Sequence, residues 1–513
     1  MMGSSQNNKR IAKNTALLYI RSLVIMLVGV YTSRIVLDAL GVDNYGIYNI
    51  VGGFVSMFSI LSSSLISASQ RFISYEMGRK NPQMEKIFTS TFTIHLILAF
   101  VLFLLFETIG LWFLNNKLNI SQERLSSANW VFQCSVLTFC INIVNIPCNA
   151  TIIAHEKMSA FAYISIYEVF AKLLICYLLY ISSFDRLKVY SILLMLVAVS
   201  MRFIYNRYCH RHFSECKFYI KYDNELFKKL LSFSGWNFIG TTAGILTNQG
   251  VNVLINIFFG VTLNAARGIA EHLNYTINSF VTNFMTAMNP QITKSYASGD
   301  YEYMNKLMIR GAKYASLLYW SVSIILFIQT EYILNLWLVK VPVYAPLFLR
   351  FAIIYSLFQS LSHTLYIGML ATGNIRKYQI IMGTIYISSF GLCYVFYAMG
   401  LGPEYGYISS IIAVFIGLFA RLWLLGEMIP LFSSKEYFLS AVMKVLPVII
   451  ISSGCCYLLN TFIVIKPFLL FVLDLFVSFI TVVVLAYFIS LDNFERNLIK
   501  KQYKKIFERN TYR

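Results

Sequence analysis

About fourteen stretches of mostly apolar residues, each long enough to cross a bilayer, follow one another along this chain, and no segment between them exceeds about 25 residues. Inside lipid a backbone cannot pass its N–H and C=O groups to water. An apolar run of ~20 residues must therefore close its hydrogen bonds on itself, as a helix. The predicted helices lie near 15–38, 45–69, 88–113, 130–153, 160–181, 187–208, 232–258, 263–289, 312–338, 344–371, 376–400, 405–428, 440–462 and 467–490. Composition agrees: 58% of the 513 residues are hydrophobic and 13% are charged, about half the charge of a water-soluble surface. The fold class is all-α, polytopic and membrane-embedded, with no room for a soluble catalytic domain.

The loops carry the orientation. Placed on alternate sides, about 29 Lys and Arg fall on the side of the N-terminus and 8 on the other. Such a bias marks the cytoplasmic face and sets both termini inside. It also accounts for the net charge of +19 without nucleic acid as a partner. The first apolar stretch follows Lys9, Arg10 and Lys13 and runs on into a second, so it reads as an uncleaved first helix. The basic segments His210–Lys229 and Leu491–Arg513 intersperse Phe, Leu and Ile among their cations. They are expected as amphipathic helices on an anionic leaflet, or as a plain solvated linker and tail.

A weak repeat recurs at an offset of about 219–220 residues. Gly41-Val42-Asp43-Asn44-Tyr45-Gly46 stands opposite Gly260-Val261-Thr262-Leu263-Asn264-Ala265, and Met84-Glu85-Lys86 opposite Met304-Asn305-Lys306. Each unit holds six helices, an even number, so the halves run parallel and two helices are left over. The expected organisation is a six-helix lobe over 1–208, a cytoplasmic amphipathic linker over 209–231 and a second six-helix lobe over 232–430. Two additional helices over 431–490 and a basic tail over 491–513 follow.

Polar side chains at membrane depth are costly and mark cavities, or hydrogen bonds between helices. The seventh helix carries Asn237, Thr241, Asn248, Asn252 and Asn256, and the eighth Arg267, Glu271, Asn274, Asn278 and Thr282, each set along one face. Three opposite-charge pairs stand four residues apart, where they can neutralise each other: Arg34 with Asp38, Glu168 with Lys172, and Arg267 with Glu271. Arg21, His95, Arg202, His272, Arg350, His363, Arg421 and Asp474 have no such partner. Buried cations outnumber anions, which suits a substrate bearing phosphate. The candidate substrate-binding residues are Arg267, Glu271, Asn248, Asn252, Asn274, Asn278, Arg34, Asp38, Glu168 and Lys172.

Other chemistry is missing. The nine cysteines form no C-x-x-C pair, and there is no H-E-x-x-H, phosphate-binding glycine loop or dinucleotide motif. No catalytic residue, metal site or cofactor is assigned, and an enzyme is not expected. Transport energy would come from an ion gradient, the membrane potential or consumption of the product.

Several runs nevertheless carry a resemblance. Asn14-Thr15-Ala16-Leu17-Leu18-Tyr19-Ile20-Arg21, Tyr31-Thr32-Ser33-Arg34, Leu40-Gly41-Val42-Asp43-Asn44-Tyr45-Gly46-Ile47-Tyr48-Asn49, Ser69-Gln70-Arg71-Phe72 and Leu230-Leu231-Ser232-Phe233-Ser234-Gly235-Trp236 resemble the O-antigen type oligosaccharide flippases of the MOP (MATE-like) superfamily. The resemblance spans about residues 10–490. It implies two six-helix lobes plus two helices, in a bacterial cytoplasmic (inner) membrane. The implied substrate is an undecaprenyl-diphosphate-linked oligosaccharide, moved from the inner to the outer leaflet by alternating access for surface polysaccharide and lipopolysaccharide biosynthesis. It further implies a coupling proton or sodium ion, with membrane lipids and a glycan polymerase as partners. The alternatives are an ion-coupled multidrug or metabolite exporter of the same superfamily and a non-transporting membrane component of a glycan-assembly complex. A membrane-embedded glycan ligase or polymerase would need a long outer loop, which the chain lacks.

Overall fold

The computed structural model describes residues 2–497 and residue 500, apart from 57, 80–81, 118–121, 221–222, 339–340, 463–466; some side chains within helices, among them Arg34 and Asn256, also lie outside the description. Every regular element among the described residues is a helix. In order these are α1 (Met2–Ser56), α2 (Ser59–Gly78), α3 (Met84–Leu105), α4 (Leu111–Lys117), α5 (Gln122–Ala154), α6 (Met158–Ile181), α7 (Arg186–His212), α8 (Asn224–Phe259) and α9 (Val261–Ser298). Then come α10 (Tyr301–Ile328), α11 (Thr330–Trp337), α12 (Ala345–Thr372), α13 (Arg376–Ala398), α14 (Tyr405–Met428), α15 (Ser434–Tyr437), α16 (Met443–Phe462) and α17 (Pro467–Leu485). Single π-turns at Phe106–Gly110 and Phe438–Val442 join α3 to α4 and α15 to α16.

Helix α1 contains two passages. Gly41 adopts φ 75 inside it, and Gly260, between α8 and α9, adopts φ 85. These are the glycines the repeat places opposite each other. Only glycine takes such a left-handed conformation without strain, so the same residue reverses the chain at the same point of each half. With α1 divided there, the described helices group into fourteen passages. Ten of the described helices are long and apolar enough to cross a membrane. Within α1 the described stretch Asn14–Gly29 is apolar but shorter than a span.

The observed helices outrun the predicted spans. α8 begins at Asn224 and α9 continues to Ser298, because hydropathy sees only the lipid-embedded part of a helix. The linker departs from expectation more sharply. α7 runs to His212, and the described residues from Phe213 to Asp223 form no helix. Phe213 and Cys216 are buried there. Phe218 sets its ring edge-on to Phe88 and Phe92, at 5.4 Å from each. Lys217–Glu85 (2.8 Å) and Lys86–Asp223 (2.6 Å) pin the segment to the start of α3. The aromatic residues that suggested an amphipathic helix are used as plugs in a protein core. Of the tail, Leu491 to Asn497 and residue 500 are described; the rest of that expectation lies outside the described residues.

The chain forms two compact units. One comprises Met1–Thr242, Thr286–Asp300 and Gly373–Gln379; the other comprises Ala243–Met285, Tyr301–Thr372 and Ile380–Arg513. In the first, Phe106 lies at the centre of edge-to-face contacts with Phe58, Phe132 and Phe139. Here also the end of α2 meets the end of α9: a Cβ on Gly78 would lie 2.4 Å from the Lys294 carbonyl oxygen. In the second unit, Trp320 is buried and donates its indole N–H to Ser452 Oγ at 2.9 Å. Tyr437 donates to the Leu361 carbonyl at 2.8 Å.

Candidate substrate-binding site

In the second unit the first turns of α9 stack Arg267 above Glu271, one turn apart. The Arg267 side chain is 4% exposed, and its Nε stands 3.9 Å from Glu271 Oε1. That is a loose ion pair and not a hydrogen bond. Glu271 Oε1 instead accepts the Tyr407 hydroxyl at 2.8 Å, and the guanidinium lies 5.3 Å from the centre of the Tyr407 ring. Phe348 and Phe351 back that ring, with centroids 5.5 and 6.4 Å away. Arg267 Nη2 donates to Asn248 Oδ1 at 3.4 Å, while Nε and Nη1 are buried with no hydrogen-bond partner. A buried guanidinium with two unused N–H groups is held at a cost that an oxyanion would remove.

The expected polar stripe divides here. Asn248 reaches Arg267, whereas Asn252 donates to Gln249 Oε1 at 3.0 Å on its own helix. Asn274 donates to Ser356 Oγ at 2.9 Å and its Oδ1 accepts the Tyr319 hydroxyl at 2.8 Å. Asn278 donates to the same Ser356 Oγ at 2.9 Å and to the Asn274 carbonyl at 3.1 Å. These two amides hold α9, α10 and α12 together. Spacing alone could not separate them from Arg267, because all lie along one helix.

Arg421 of α14 forms a second buried cationic point in this unit. It donates to Ser362 Oγ at 2.8 Å and to the Tyr386 hydroxyl at 3.3 Å. Tyr407 and Tyr386 were invisible as site residues in the sequence. Each is one tyrosine among 35, and only the packing of α13 and α14 brings them to the arginines.

The first unit carries the other candidates. Glu168 and Lys172 pair at 2.7 Å on α6, as their spacing predicts, with side chains 37% and 47% exposed. Arg21 of α1 stacks 4.4 Å from the centre of the Phe161 ring, and its Nε is buried without a partner. Asp38 accepts the Tyr180 hydroxyl at 2.5 Å. The Arg34 side chain, its expected partner, lies outside the described residues. Arg186 donates instead to the Ala39 carbonyl at 3.0 Å, just before the Gly41 turn.

Four more of the ionisable residues picked out in the sequence have structural partners. His95 is satisfied by the Thr91 carbonyl (2.7 Å) and Ser69 (3.3 Å). Arg350 pairs with Glu331 at 2.8 Å, and His272 stacks on Trp337. Asp474 accepts from Asn460 at 2.8 Å and from Gln329. Among the described residues no group of three or more His, Cys, Asp and Glu could hold a metal ion.

By sequence the chain matches no family model and no curated protein. Its structure is similar to several solved ones. An outward-facing multidrug resistance MATE family transporter of the MOP superfamily aligns with TM-score 0.67 at 14% identity, over 82% of this chain and 95% of that one. A MOP superfamily transporter from Pyrococcus furiosus, described by a binding pocket of reversed polarity suggesting a different function, aligns with TM-score 0.66 at 14% identity over 82% and 96%. The MATE transporter ClbM in complex with Rb+ aligns with TM-score 0.64 at 15% identity over 80% and 94%. The chain is thus a multi-pass, all-helical membrane protein with the fold of the MATE transporters.

Proposed function

We propose that this protein is a flippase that moves an undecaprenyl-diphosphate-linked oligosaccharide from the inner to the outer leaflet of a bacterial cytoplasmic membrane. The observation that carries this reading is Arg267, a buried guanidinium with two N–H groups unused and its nearest carboxylate turned to Tyr407. Planar N–H pairs match the oxygens of a diphosphate. Arg421 and Arg21 add cations at membrane depth, and the resemblance to O-antigen type flippases points the same way. A proton or sodium ion would supply the energy, and a glycan polymerase would receive the product.

A second reading, an ion-coupled exporter of drugs or metabolites, has the fold likeness to MATE transporters in its favour. The two readings separate on the charge of the cargo. Purified protein in proteoliposomes is given a fluorescent undecaprenyl-diphosphate oligosaccharide in one leaflet, or a cationic dye inside. The flippase reading expects flipping of the lipid, slowed about 100-fold by Arg267→Ala and partly restored by Arg267→Lys. Wild-type flipping by a folded Arg267→Ala variant would reject the assigned residue. Dye export without any lipid flipping would favour the exporter.

A further inference from the structure

Asp474 of α17 is 1% exposed. An ionised carboxylate buried on a membrane-spanning helix is costly unless a positive charge meets it. In the same unit, buried Glu495 is met in this way by Lys313. Asp474 has no cationic partner among the described residues. Its Oδ2 accepts Asn460 Nδ2 at 2.8 Å and Gln329 Nε2, both of them neutral amides. Its Oδ1 is buried with no partner.

The surroundings do not answer this charge. Gln329 sits where a helix is interrupted, between α10, which ends at Ile328, and α11, which begins at Thr330. Arg350 caps the Phe327 carbonyl there at 3.1 Å, but its own charge is met by Glu331 at 2.8 Å. Asn460 stands in the last turn of α16, which ends at Phe462. The C-terminal end of a helix carries partial negative charge and adds to that of the carboxylate.

Three side-chain oxygens remain for a ligand. Asp474 Oδ1 takes no bond. Gln329 makes both of its described bonds from Nε2, which leaves its Oε1. Asn460 Oδ1 accepts Gln329 Nε2 at 2.6 Å and keeps a second lone pair. One charged and two neutral oxygens suit a hard cation, and interrupted helices and helix C-termini at membrane depth are places where such ions are held. The single carboxylate balances a single positive charge. A divalent ion would leave an excess of charge in low dielectric.

We propose that Asp474, Asn460 and Gln329 form a binding site for a sodium-sized monovalent cation, which ties α16 and α17 to the junction of α10 and α11. The site lies wholly within the second unit, and it does not depend on what the protein carries.

The test uses full-length protein purified in detergent, with sodium exchanged for N-methylglucamine at equal ionic strength. Retention of radioactive sodium and the midpoint of thermal unfolding are both measured. Wild type should bind about one sodium ion per chain, saturably, and saturating sodium should raise the midpoint by about 4 °C. Asp474→Asn should bind sodium at least tenfold more weakly and lose that rise. Without sodium its midpoint should match or exceed that of wild type, because an amide needs no counter-charge. Gln329→Leu keeps the carboxylate but removes one oxygen, and should weaken binding about tenfold; it decides the matter if Asp474→Asn does not fold. A wild-type protein that binds no sodium saturably overturns the proposal before any variant is made. Undiminished binding by a folded Asp474→Asn also overturns it, as does a loss confined to Glu271→Gln, which would move the ion to another carboxylate.

Discussion

Glu156 joins α5 to α6 in the left-handed conformation, φ 58, unusual for a residue with a side chain. Its neighbours hold it there. Its side chain is fully buried, its Oε1 accepts Lys294 Nζ at 2.9 Å and Gln291 Nε2 at 2.6 Å, and its carbonyl accepts Asn14 at 3.2 Å. Removing one partner of a buried pair leaves the other charge in low dielectric. Lys294→Met is therefore expected to destabilise the protein by about 3 kcal/mol, read as a lower midpoint of thermal unfolding in detergent. An unchanged midpoint would show that Lys294 is solvated and not paired. At Arg267 the expected effect falls on function and not on stability. Tyr407→Phe frees Glu271 Oε1 to close on the guanidinium, and the self-neutralised pair should bind a diphosphate less well. We expect a roughly tenfold loss of flipping rate with an unchanged unfolding midpoint.

Turns and connections decide how the elements meet. Gly41 and Gly260 each reverse the chain at φ above 70°. No atoms lie within 4 Å of a Cβ built on either, so the penalty of substitution is conformational alone. Gly41→Ala and Gly260→Ala should each lower stability by about 1–2 kcal/mol, measurable by denaturation in mixed micelles; a smaller effect at one site would mean that its turn rearranges. The linker after α7 titrates. The hydrogen bond from Lys86 holds the Asp223 carboxyl below its usual range. A depressed carboxyl stabilises the folded form above its unfolded pKa of about 3.9, and that support is lost as pH falls through the folded value. The protection factors of the linker amides, corrected for intrinsic exchange, should therefore be high at pH 6 and fall in acid, below the unfolded pKa. Lys86→Gln should make exchange faster at pH 6 already.

At the scale of the whole molecule, the end of the chain is tied into the second unit by charge. Lys313 of α10 and Glu495 are each 3% exposed and pair at 2.6 Å; Lys313 also donates to the Ser490 carbonyl at 3.0 Å. Tyr314 adds a hydrogen bond of 2.6 Å to the same carboxylate. Lys313→Met or Glu495→Met alone should cost about 3–5 kcal/mol, and the two together less than their sum. A double-mutant cycle on thermal unfolding measures the coupling, and additive losses would deny it.

The number of passages and the glycine turns of both halves were legible in the sequence, because lipid forces each long apolar run into a helix and left-handed turns demand glycine. The ion pair between Glu168 and Lys172 was legible too, since both residues share one helical face. The partner of Asp38, the loosened pair at Arg267 and the role of Tyr407 were not. Each depends on side chains brought together from helices far apart in the chain. Periodicity along one helix shows which residues share a face, but not what that face meets. That is why Asn248, Asn252, Asn274 and Asn278 look alike in the sequence, while the packing of α9 against α10 and α12 sends Asn274 and Asn278 into structural hydrogen bonds and, of the two on α8, Asn248 meets the buried arginine.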